Sequence, residues 1–517
     1  MSQRTFEGLG LMALPVAGPA PQPQTPVTNL AVDSRQVGAG ALFAAIPGTR
    51  LDGAEFAQFA VRKGAVGVLA TPEGAETARS DLGTLPVPVF LSDTPRAELA
   101  RLAAAFWPAQ PSTMVAVTGT NGKTSVVHFL RQIWEICGLR AVSVGTTGVE
   151  GAGLDEPLAV TTPEPITLHR LLDRLATRGC THAAMEASSH ALEQHRVDGV
   201  RLAAGALTNI QRDHMDYHGS AEAYVAAKMR LFGTVLPPGS AAVVHASPEG
   251  IEARRIAEAR RIEVCTIGPQ PADLSFEAET TPDGFRVRID LPSGRAPGRL
   301  RSATDLPPGL ETFETPLLGA FQIQNVMLAA ATAIATGLGA ADVLGALPKL
   351  RGVRGRMERV ARRANGGQLV IDYAHTPDAL VAALSALRRH VTGRLIVLGG
   401  AGGDRDRGKR PLMGRAMAEG ADHVIVTDDN PRSEDPGAIR RAVLDGCPEA
   451  EEIGDRAAAI LAGVDALKSP ADCLLIAGKG HEQGQEIAGT HHPFDDATQA
   501  RAAVAALDGD DPWDPAP

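Results

Sequence analysis

Met114-Val115-Ala116-Val117-Thr118-Gly119-Thr120-Asn121-Gly122-Lys123-Thr124 is the stretch whose reading decides the fold. A short apolar run ends at a threonine, passes through a glycine-rich turn and opens on apolar residues at helical spacing, roughly 123–136. Strand, turn and helix in that order predict the phosphate-binding loop of an α/β domain. Successive backbone N–H groups and the helix N-terminus there face phosphate oxygens. Lys123 is expected to reach the β and γ phosphates as a compact point charge, and Thr124 to offer its hydroxyl to Mg²⁺. Only two residues separate Gly119 from Gly122, fewer than in the common G-x-x-x-x-G-K-[ST] loop. Such a loop implies a nucleotide but not a reaction.

Outward from the loop the pattern remains alternating α/β, and the chain divides into three parts. Residues 1–111 read as short buried strands with a helix near 54–62, closed by a linker at Pro108–Pro111. Residues 112–350 carry the loop, with further strands near 140–144, 182–186, 204–208 and 241–245 and a helix over Gln322–Leu338. A polar excursion over about 268–316 alternates as antiparallel strands do. Residues 351–517 hold four apolar strands, each ending in a polar motif: QLVIDYAHTPD (368–378), RLIVLGGAGGDRDRGKRP (394–411), HVIVTDDNPR (423–432) and CLLIAGKGHE (473–482). Apolar runs separated by helical stretches predict a doubly wound parallel sheet, with ligands gathered at the carboxyl ends of its strands. The Pro/Gln-rich residues 18–27 and the acidic tail 508–517 are expected to be loosely ordered.

Composition limits the partners. The 517 residues are 44% hydrophobic and 21% charged, ordinary globular material for about three domains. A net charge of −10 excludes a general nucleic-acid binder. No apolar run approaches the ~18 residues of a membrane helix, and the N-terminus does not read as a signal peptide. The five cysteines form no CxxC, which rules against a disulfide framework or a zinc ribbon and suits a reducing cytosol. Only seven of 50 basic residues are lysine: Lys63, Lys123, Lys228, Lys349, Lys409, Lys468 and Lys479. Codon bias accounts for the arginines, yet each rare lysine invites a search for work that arginine cannot do.

In the central part, Glu186 ends its strand as a magnesium carboxylate would. His214 lies in the run DHMDYHG (213–219), and the residues alone leave open whether it is a ligand or a structural histidine. Lys228, in the helical stretch AEAYVAAKMRLF, reads from the residues alone as a solvated helix lysine.

The motifs GTNGKT (119–124), TTPEP (161–165), MEASSHALEQHRV (185–197), RDHMDYHG (212–219), AAKMRLF (226–232), GRMERV (355–360), DYAHTPDAL (372–380), GGDRDRGKRP (402–411), DDNPR (428–432) and AGKGHE (477–482) together resemble the Mur ligases, and within them the members that add diaminopimelate. The resemblance runs from Val32 to about Glu482. It implies three α/β domains: a small UDP-binding domain, a central P-loop ATPase domain and a C-terminal Rossmann-like domain that receives the amino acid. The implied enzyme is a cytoplasmic, monomeric ATP-dependent amide ligase of peptidoglycan precursor synthesis. Its substrates would be UDP-muramoyl dipeptide, ATP and meso-diaminopimelate, and it would use Mg²⁺.

By resemblance, Thr124 and Glu186 serve one Mg²⁺ and His214 a second, and Lys123, Glu186, His214 and Lys228 form the catalytic set. Lys228 falls at the position where these ligases carry a CO₂-derived carbamate, an anionic oxygen ligand that arginine cannot form. Val32, Ser34 and the Thr49–Leu51 loop match the UDP end. Thr161, Thr162, Ser188, Gln194 and Arg196 match positions that hold the muramoyl dipeptide. Asn325 matches an adenine contact, and Arg356, Asp372 and His375 match the nucleotide side of the C-terminal domain. Asp429, Asn430, Pro431 and Arg432 match the motif of diaminopimelate-adding members, joined by Arg405, Gly478 and Glu482. Diaminopimelate differs from lysine by a distal carboxylate, which a planar guanidinium takes bidentately.

Four places depart from the usual pattern: Val160, the His245-Ala246-Ser247 stretch, Gln322 and Ala401. The competing readings are a lysine-adding relative, a folylpolyglutamate synthase-like ligase, and a nucleotide-binding scaffold without catalysis. Arg432 and the Asp33-Ser34-Arg35 segment speak against the first two, and the presence of all four catalytic-set residues speaks against the third.

Overall fold

The computed structural model describes residues 4–48, 51–80, 85–211, 213–269, 271–281, 283–290 and 312–509. Two compact units divide the chain, one built mainly on Met1–Leu274 and the other on Leu344–Pro517 together with Ser275–Leu291 and Asp305–Met327.

In the first unit, a five-stranded sheet runs in the order Val16–Ala17, Val89–Leu91, Gly67–Ala70, Ala41–Ala44, Asn29–Ala31. Only the two-residue edge strand Val16–Ala17 is antiparallel to its neighbour. Residues 18–27 are not loose. Thr5 and Pro26 form a bridge, and Phe6 N, Glu7 N and Val27 N donate to Thr25 O, Pro23 O and Arg4 O at 3.1, 3.0 and 2.8 Å. The Pro108–Pro111 segment is likewise held. Gln110 is buried, donates from Nε2 to Gly199 O at 3.1 Å and accepts from Arg201 N at 3.0 Å.

The second sheet of this unit runs Glu263–Gly268, Ala241–His245, Leu202–Leu207, Thr113–Thr118, His182–Glu186, Ala141–Gly145, Gly148–Gly151, Leu154–Glu156, parallel except for the last two. Register aligns the carboxyl ends: Glu186 faces Val117, and Leu207 faces Thr118. The phosphate loop therefore leaves the centre of the sheet with a strand end on each side. Helix Lys123–Ile136 follows as the spacing predicts, burying Val126, Val127, Phe129, Leu130 and Ile133. Helix Pro165–Thr177 packs Leu168, Leu172 and Leu175 against Met114, Ala116 and Met185. Glu164 caps its first turn by accepting from Ile166 N and Thr167 N.

The second unit carries six strands in the order Glu358–Arg362, Gln368–Asp372, Cys473–Ala477, Leu395–Gly399, His423–Val426, Glu451–Glu452, parallel apart from the first. Their continuous apolar runs have a direct cause, because both faces are covered. Val370, Val397 and Leu475 pack against Leu384 and Met417 of helices Pro377–Arg388 and Lys409–Gly420. Leu369, Ile396, Leu398 and Ile476 pack on the opposite face against Ile460 and Val504 of helices Arg456–Asp465 and Asp496–Asp508. Ala401, one of the four departures, fits the first of these cores. A hairpin, Gly484–Ile487 with Thr490–Pro493, is an element the motifs did not announce.

The excursion near 268–316 forms antiparallel strands, Leu274–Thr281 with Gly284–Asp290 and the latter with Thr312–Thr315. The part over 291–311, and the tail beyond 509, lie outside the described residues. No helix among the described residues is long and apolar enough to cross a membrane.

Candidate functional site

Two glycines shape the phosphate loop. Gly119 has φ 140° and Gly122 φ 86°, backbone that other residues rarely adopt. Asn209 ties the loop to the neighbouring strand end, accepting from Thr120 N at 2.7 Å through its carbonyl and from Asn121 N at 3.1 Å through its side chain. A Cβ on Gly119 would fall 1.8 Å from Thr208 Oγ1 and 2.9 Å from Asn209 O. Gly119→Ala is therefore expected to destabilise the protein by about 1–3 kcal/mol and weaken its stabilisation by ATP. Thermal melts with and without ATP test this, and an unchanged melting temperature would mean that the loop absorbs the side chain.

Lys123 Nζ donates to Gly119 O at 3.0 Å and Thr120 O at 2.8 Å, which curls the side chain over the loop. Thr124 Oγ1 donates to Glu186 Oε1 at 3.0 Å, and both residues are buried. Glu186 also accepts from Thr146 N at 2.8 Å. Its carboxylate fits only because residue 145 is glycine, whose Cβ would lie 2.2 Å from Oε1. Thr118 Oγ1 at the head of the loop is buried without a hydrogen-bond partner.

Among the described residues no three or more His, Cys, Asp or Glu side chains are grouped to hold a metal. Magnesium at phosphate sites needs less, because one or two carboxylates suffice when substrate phosphates and water complete the shell. The Thr124–Glu186 pair has that composition.

The solvated-lysine reading of Lys228 is wrong. Helix Ala221–Arg230 turns this residue inward, and it is 1% exposed. Its Nζ donates to Gly119 O at 2.7 Å and lies 4.5 Å from the centre of the Tyr224 ring. Burial first, and the Lys123 charge second, lower its pKa to about 6 against the opposing pull of Asp213. Unfolded, a lysine keeps its proton up to its ordinary range near 10.5. Between the two values the unfolded state binds more protons, so folding gains as pH rises through that window and loses as pH falls toward the folded value. Lys228→Met is expected to melt higher than wild type near neutral pH in bicarbonate-free buffer. It should also flatten the rise of melting temperature from about pH 6 to about pH 9. Parallel curves would contradict the assignment.

Tyr224 is a residue the sequence reading missed. Its hydroxyl lies 2.9 Å from Thr120 Oγ1, and burial raises its pKa to about 12. Its ring is 6.3 Å from that of His214 and 5.4 Å from that of His218. His214 is half exposed, at φ 53°, with Nε2 3.4 Å from Asp213 and its ring edge-on to His190 at 4.8 Å. Burial, followed by the neighbouring His214 and His218, lowers the pKa of His190. Arg212, also in this run, lies outside the described residues.

Thr161, Thr162, Ser188, Gln194 and Arg196 come together in one chain of hydrogen bonds. Thr161 Oγ1 meets Thr146 Oγ1 at 3.1 Å, and Thr162 Oγ1 donates to Glu186 O at 2.8 Å while accepting from Ser188 N at 3.3 Å. Arg196 Nη1 donates to Thr162 O at 2.9 Å, its Nη2 to Gln194 Oε1 at 2.7 Å, and Gln194 Nε2 to Tyr217 OH at 2.7 Å. Burial lowers the Arg196 pKa, and the cation of Arg96, itself bonded to Pro47 O at 2.7 Å, adds to the effect. Val32 and Ser34 lie elsewhere, on the turn after Asn29–Ala31, with Val32 exposed and Ser34 buried. Of the Thr49–Leu51 loop only Leu51 is described.

In the second unit, Gln322 and Asn325 are both buried. Asn325 Nδ2 donates to Gln322 Oε1 at 3.0 Å, and Gln322 Nε2 to Arg356 O at 3.2 Å, so the departure at 322 is absorbed by a longer amide reaching a backbone carbonyl. Arg356 stacks over the Tyr373 ring at 4.5 Å. Met357 N donates to Asp372 Oδ2 at 2.8 Å, and burial pushes the Asp372 carboxyl up. The backbone carbonyl of His375 accepts from Lys409 Nζ at 3.0 Å.

Asp429, Asn430, Lys479 and Glu482 interlock at two strand ends. Lys479 is fully buried, with Nζ 2.9 Å from Asn430 Oδ1 and 3.5 Å from Glu482 Oε2. Asn430 Nδ2 donates to Glu482 Oε2 at 2.9 Å, and Gln485 Nε2 to Asp429 O at 2.7 Å. A Cβ on Gly478 would meet Asp429 Oδ2 at 2.6 Å. Arg432 has φ 53° and is held there by the unannounced hairpin, donating from N to Glu486 O at 2.9 Å and accepting from Ala488 N at 2.7 Å. Its Nη1 donates to Gly403 O at 2.8 Å, and its Nε is 3.2 Å from Glu486 Oε2. Arg405 borders the same place: its Cγ and Arg432 Nη1 both lie within 4 Å of where a Cβ on Gly402 would stand. Pro431 O sits 1.9 Å from the Cβ position of Gly403, so glycine is needed there too.

Residues 26–107 match the catalytic domain of the Mur ligase family, residues 117–333 the Mur ligase middle domain, and residues 355–480 the Mur ligase glutamate ligase domain. A UDP-N-acetylmuramoyl-L-alanyl-D-glutamate–2,6-diaminopimelate ligase of Chelativorans sp. is 48% identical over 93% of this chain and 95% of its own length. A relative of the same name from Caulobacter vibrioides is 48% identical over 93% of this chain and 96% of its own length. A solved structure of a ligase of that name is 32% identical, covers 97% of this chain and 99% of its own, and superposes with a TM-score of 0.69.

Proposed function

Because this chain belongs to the Mur ligase family, we propose that it is an ATP-dependent ligase joining meso-diaminopimelate to the D-glutamate γ-carboxylate of UDP-N-acetylmuramoyl-L-alanyl-D-glutamate. The reaction releases ADP and phosphate and belongs to cytoplasmic peptidoglycan precursor synthesis. The observation that carries the choice of amino acid is Arg432, a guanidinium fixed at a strand end beside Arg405 in a chain nearly half identical to relatives named for that substrate.

A carboxylate does not condense with an amine in water unless it is activated. The carboxylate oxygen attacks the γ-phosphorus of ATP, giving an acyl phosphate and ADP. The diaminopimelate amine then adds to the acyl carbon, and phosphate leaves from the tetrahedral intermediate. The protein mainly positions these groups and neutralises charge.

Gly119, Thr120, Asn121 and Gly122 form the loop that would wrap the phosphates, its shape held by the bonds of Thr120 N and Asn121 N to Asn209, with Lys123 adding a cation. Thr124 and Glu186 are the residues suited to hold Mg²⁺, which would supply charge neutralisation to the phosphates. Lys228, buried with a neutral amine, is suited to add CO₂ at Nζ, lose a proton and become a carbamate, with His214 as its companion at a second Mg²⁺.

Thr161, Thr162, Ser188, Gln194 and Arg196 would hold the muramoyl dipeptide, and Val32 and Ser34 the UDP end. Asn325 and Arg356 would face the nucleotide. Asp429, Asn430, Pro431, Gly478 and Glu482 would take the amino-acid groups with Arg405 and Arg432. Domain boundaries near 111/112 and 350/351 fit this division of labour, and the enzyme would act as a monomer without nucleic acid or membrane insertion.

Phosphate release by the purified protein tests the reading. Release should require ATP, the UDP-muramoyl dipeptide and meso-diaminopimelate together. Equal release without the amino acid would refute it.

A further inference from the structure

Arg456 and Asp496 are the most deeply buried ion pair described, with both side chains at 0% exposure. Each is the first residue of its helix, after the capping residues Asp455 and Asp495. Arg456 Nε and Nη2 meet the two Asp496 oxygens at 2.7 Å each, in the fork geometry. Such a pair is costly. Two charges leave water, and the cation sits at a helix N-terminus, where the backbone dipole disfavours it. If these two helices needed only to be held together, an apolar pair of similar volume would serve as well or better.

The remaining donors of the guanidinium indicate what an apolar pair could not do. Nη2 also donates to Ala477 O at 3.0 Å, and Nη1 reaches Asp428 O at 3.4 Å. Ala477 is the last residue of strand Cys473–Ala477, directly ahead of Gly478, and Asp428 stands directly ahead of Asp429. These two strands are not neighbours, because Leu395–Gly399 runs between Cys473–Ala477 and His423–Val426. No ladder hydrogen bond therefore joins their ends; besides the side-chain bonds among Asn430, Lys479 and Glu482, one rigid, planar cation ties their backbone carbonyls across the intervening strand. The approach it spans is close, since Asp429 Oδ2 lies 2.6 Å from the Cβ position of Gly478.

We propose that Arg456 and Asp496 are a positioning pair that sets the separation of the Asp429–Arg432 and Gly478–Glu482 segments, and through it the affinity for the diamino acid. This rests on the ligase reading above, which assigns both segments to amino-acid recognition. Neither residue touches substrate, so the pair acts through the two carbonyls. Loss of the pair should raise the KM for meso-diaminopimelate and spare the KM for ATP, whose proposed phosphate contacts lie in the other unit.

The test is Arg456→Met combined with Asp496→Leu, which removes both charges and leaves an apolar pair. The doubly substituted protein is expected to fold, with a melting temperature at or above that of wild type. It should show a KM for meso-diaminopimelate at least about tenfold higher, because sub-ångström placement governs such sites, and an unchanged KM for ATP. A stable double variant with the wild-type KM for meso-diaminopimelate overturns the proposal, since the pair would then be structural only. If circular dichroism shows that the double variant is unfolded, Asp496→Asn is the readout. It keeps the shape and loses the charge that orients the fork, and a KM unchanged for both substrates would again overturn the proposal. Failure of the wild-type protein to release phosphate with meso-diaminopimelate is a separate result, which refutes the ligase reading itself.

Discussion

Replacing Arg432 with lysine is expected to raise the KM for meso-diaminopimelate roughly 10- to 150-fold while leaving ATP binding unchanged. The figure follows from about 1.5–3 kcal/mol for a hydrogen bond to a charged group, at 1.4 kcal/mol per factor of ten. The substitution keeps the charge and, as a non-glycine residue, the same strain at φ 53°, so the comparison isolates the head group. The guanidinium reaches Gly403 O and Glu486 at once. An ammonium has three donors but no fork, and its shorter reach cannot serve the carbonyl, Glu486 and a substrate carboxylate together. Steady-state kinetics with varied amino acid decide the matter, and an unchanged KM would remove Arg432 from the binding site.

Lys228→Ala is expected to lower kcat on the order of 10²–10³-fold, the usual cost of deleting one preorganised charged group. Activity should return in part when short carboxylic acids are added, because acetate or propionate can occupy the space the carbamate would fill. Lys228→Arg should be as defective as alanine, since a guanidinium does not deprotonate to take up CO₂. The burial of Lys228 against Gly119 O and the Tyr224 ring gives the expectation its physical basis. Wild-type turnover by the arginine variant, or a wild-type mass spectrum in bicarbonate without the added CO₂, would count against the carbamate.

Much of the fold was legible because periodicity reports burial. Strands Gln368–Asp372, Leu395–Gly399 and Cys473–Ala477 are apolar on both faces because helices cover both, and that run-and-motif pattern is visible in one dimension. The phosphate loop was legible because its glycines meet a backbone requirement that few other sequences satisfy. Lys228 was misread by the residues alone for the converse reason. The carbonyl that receives its Nζ comes from Gly119, over a hundred positions earlier, and nothing in its own helix announces the burial. Tyr224, Thr146 and Arg96 were missed because each acts on a partner distant in sequence. Residues 18–27 looked loose by composition, yet their order comes from backbone bonds to residues 4–7, which composition does not register. Lys479, one of the seven lysines, has a reason to be lysine: a compact ammonium fits a fully buried space between Asn430 and Glu482.

This Mur ligase family member is expected to select an amino acid with a distal carboxylate. The decisive measurement is phosphate release with meso-diaminopimelate and, separately, with L-lysine, each varied while ATP and UDP-muramoyl dipeptide are saturating. A kcat/KM ratio of at least about 10² in favour of meso-diaminopimelate is expected, because lysine leaves the Arg432 guanidinium without its partner. A ratio near one, or one favouring lysine, would contradict it.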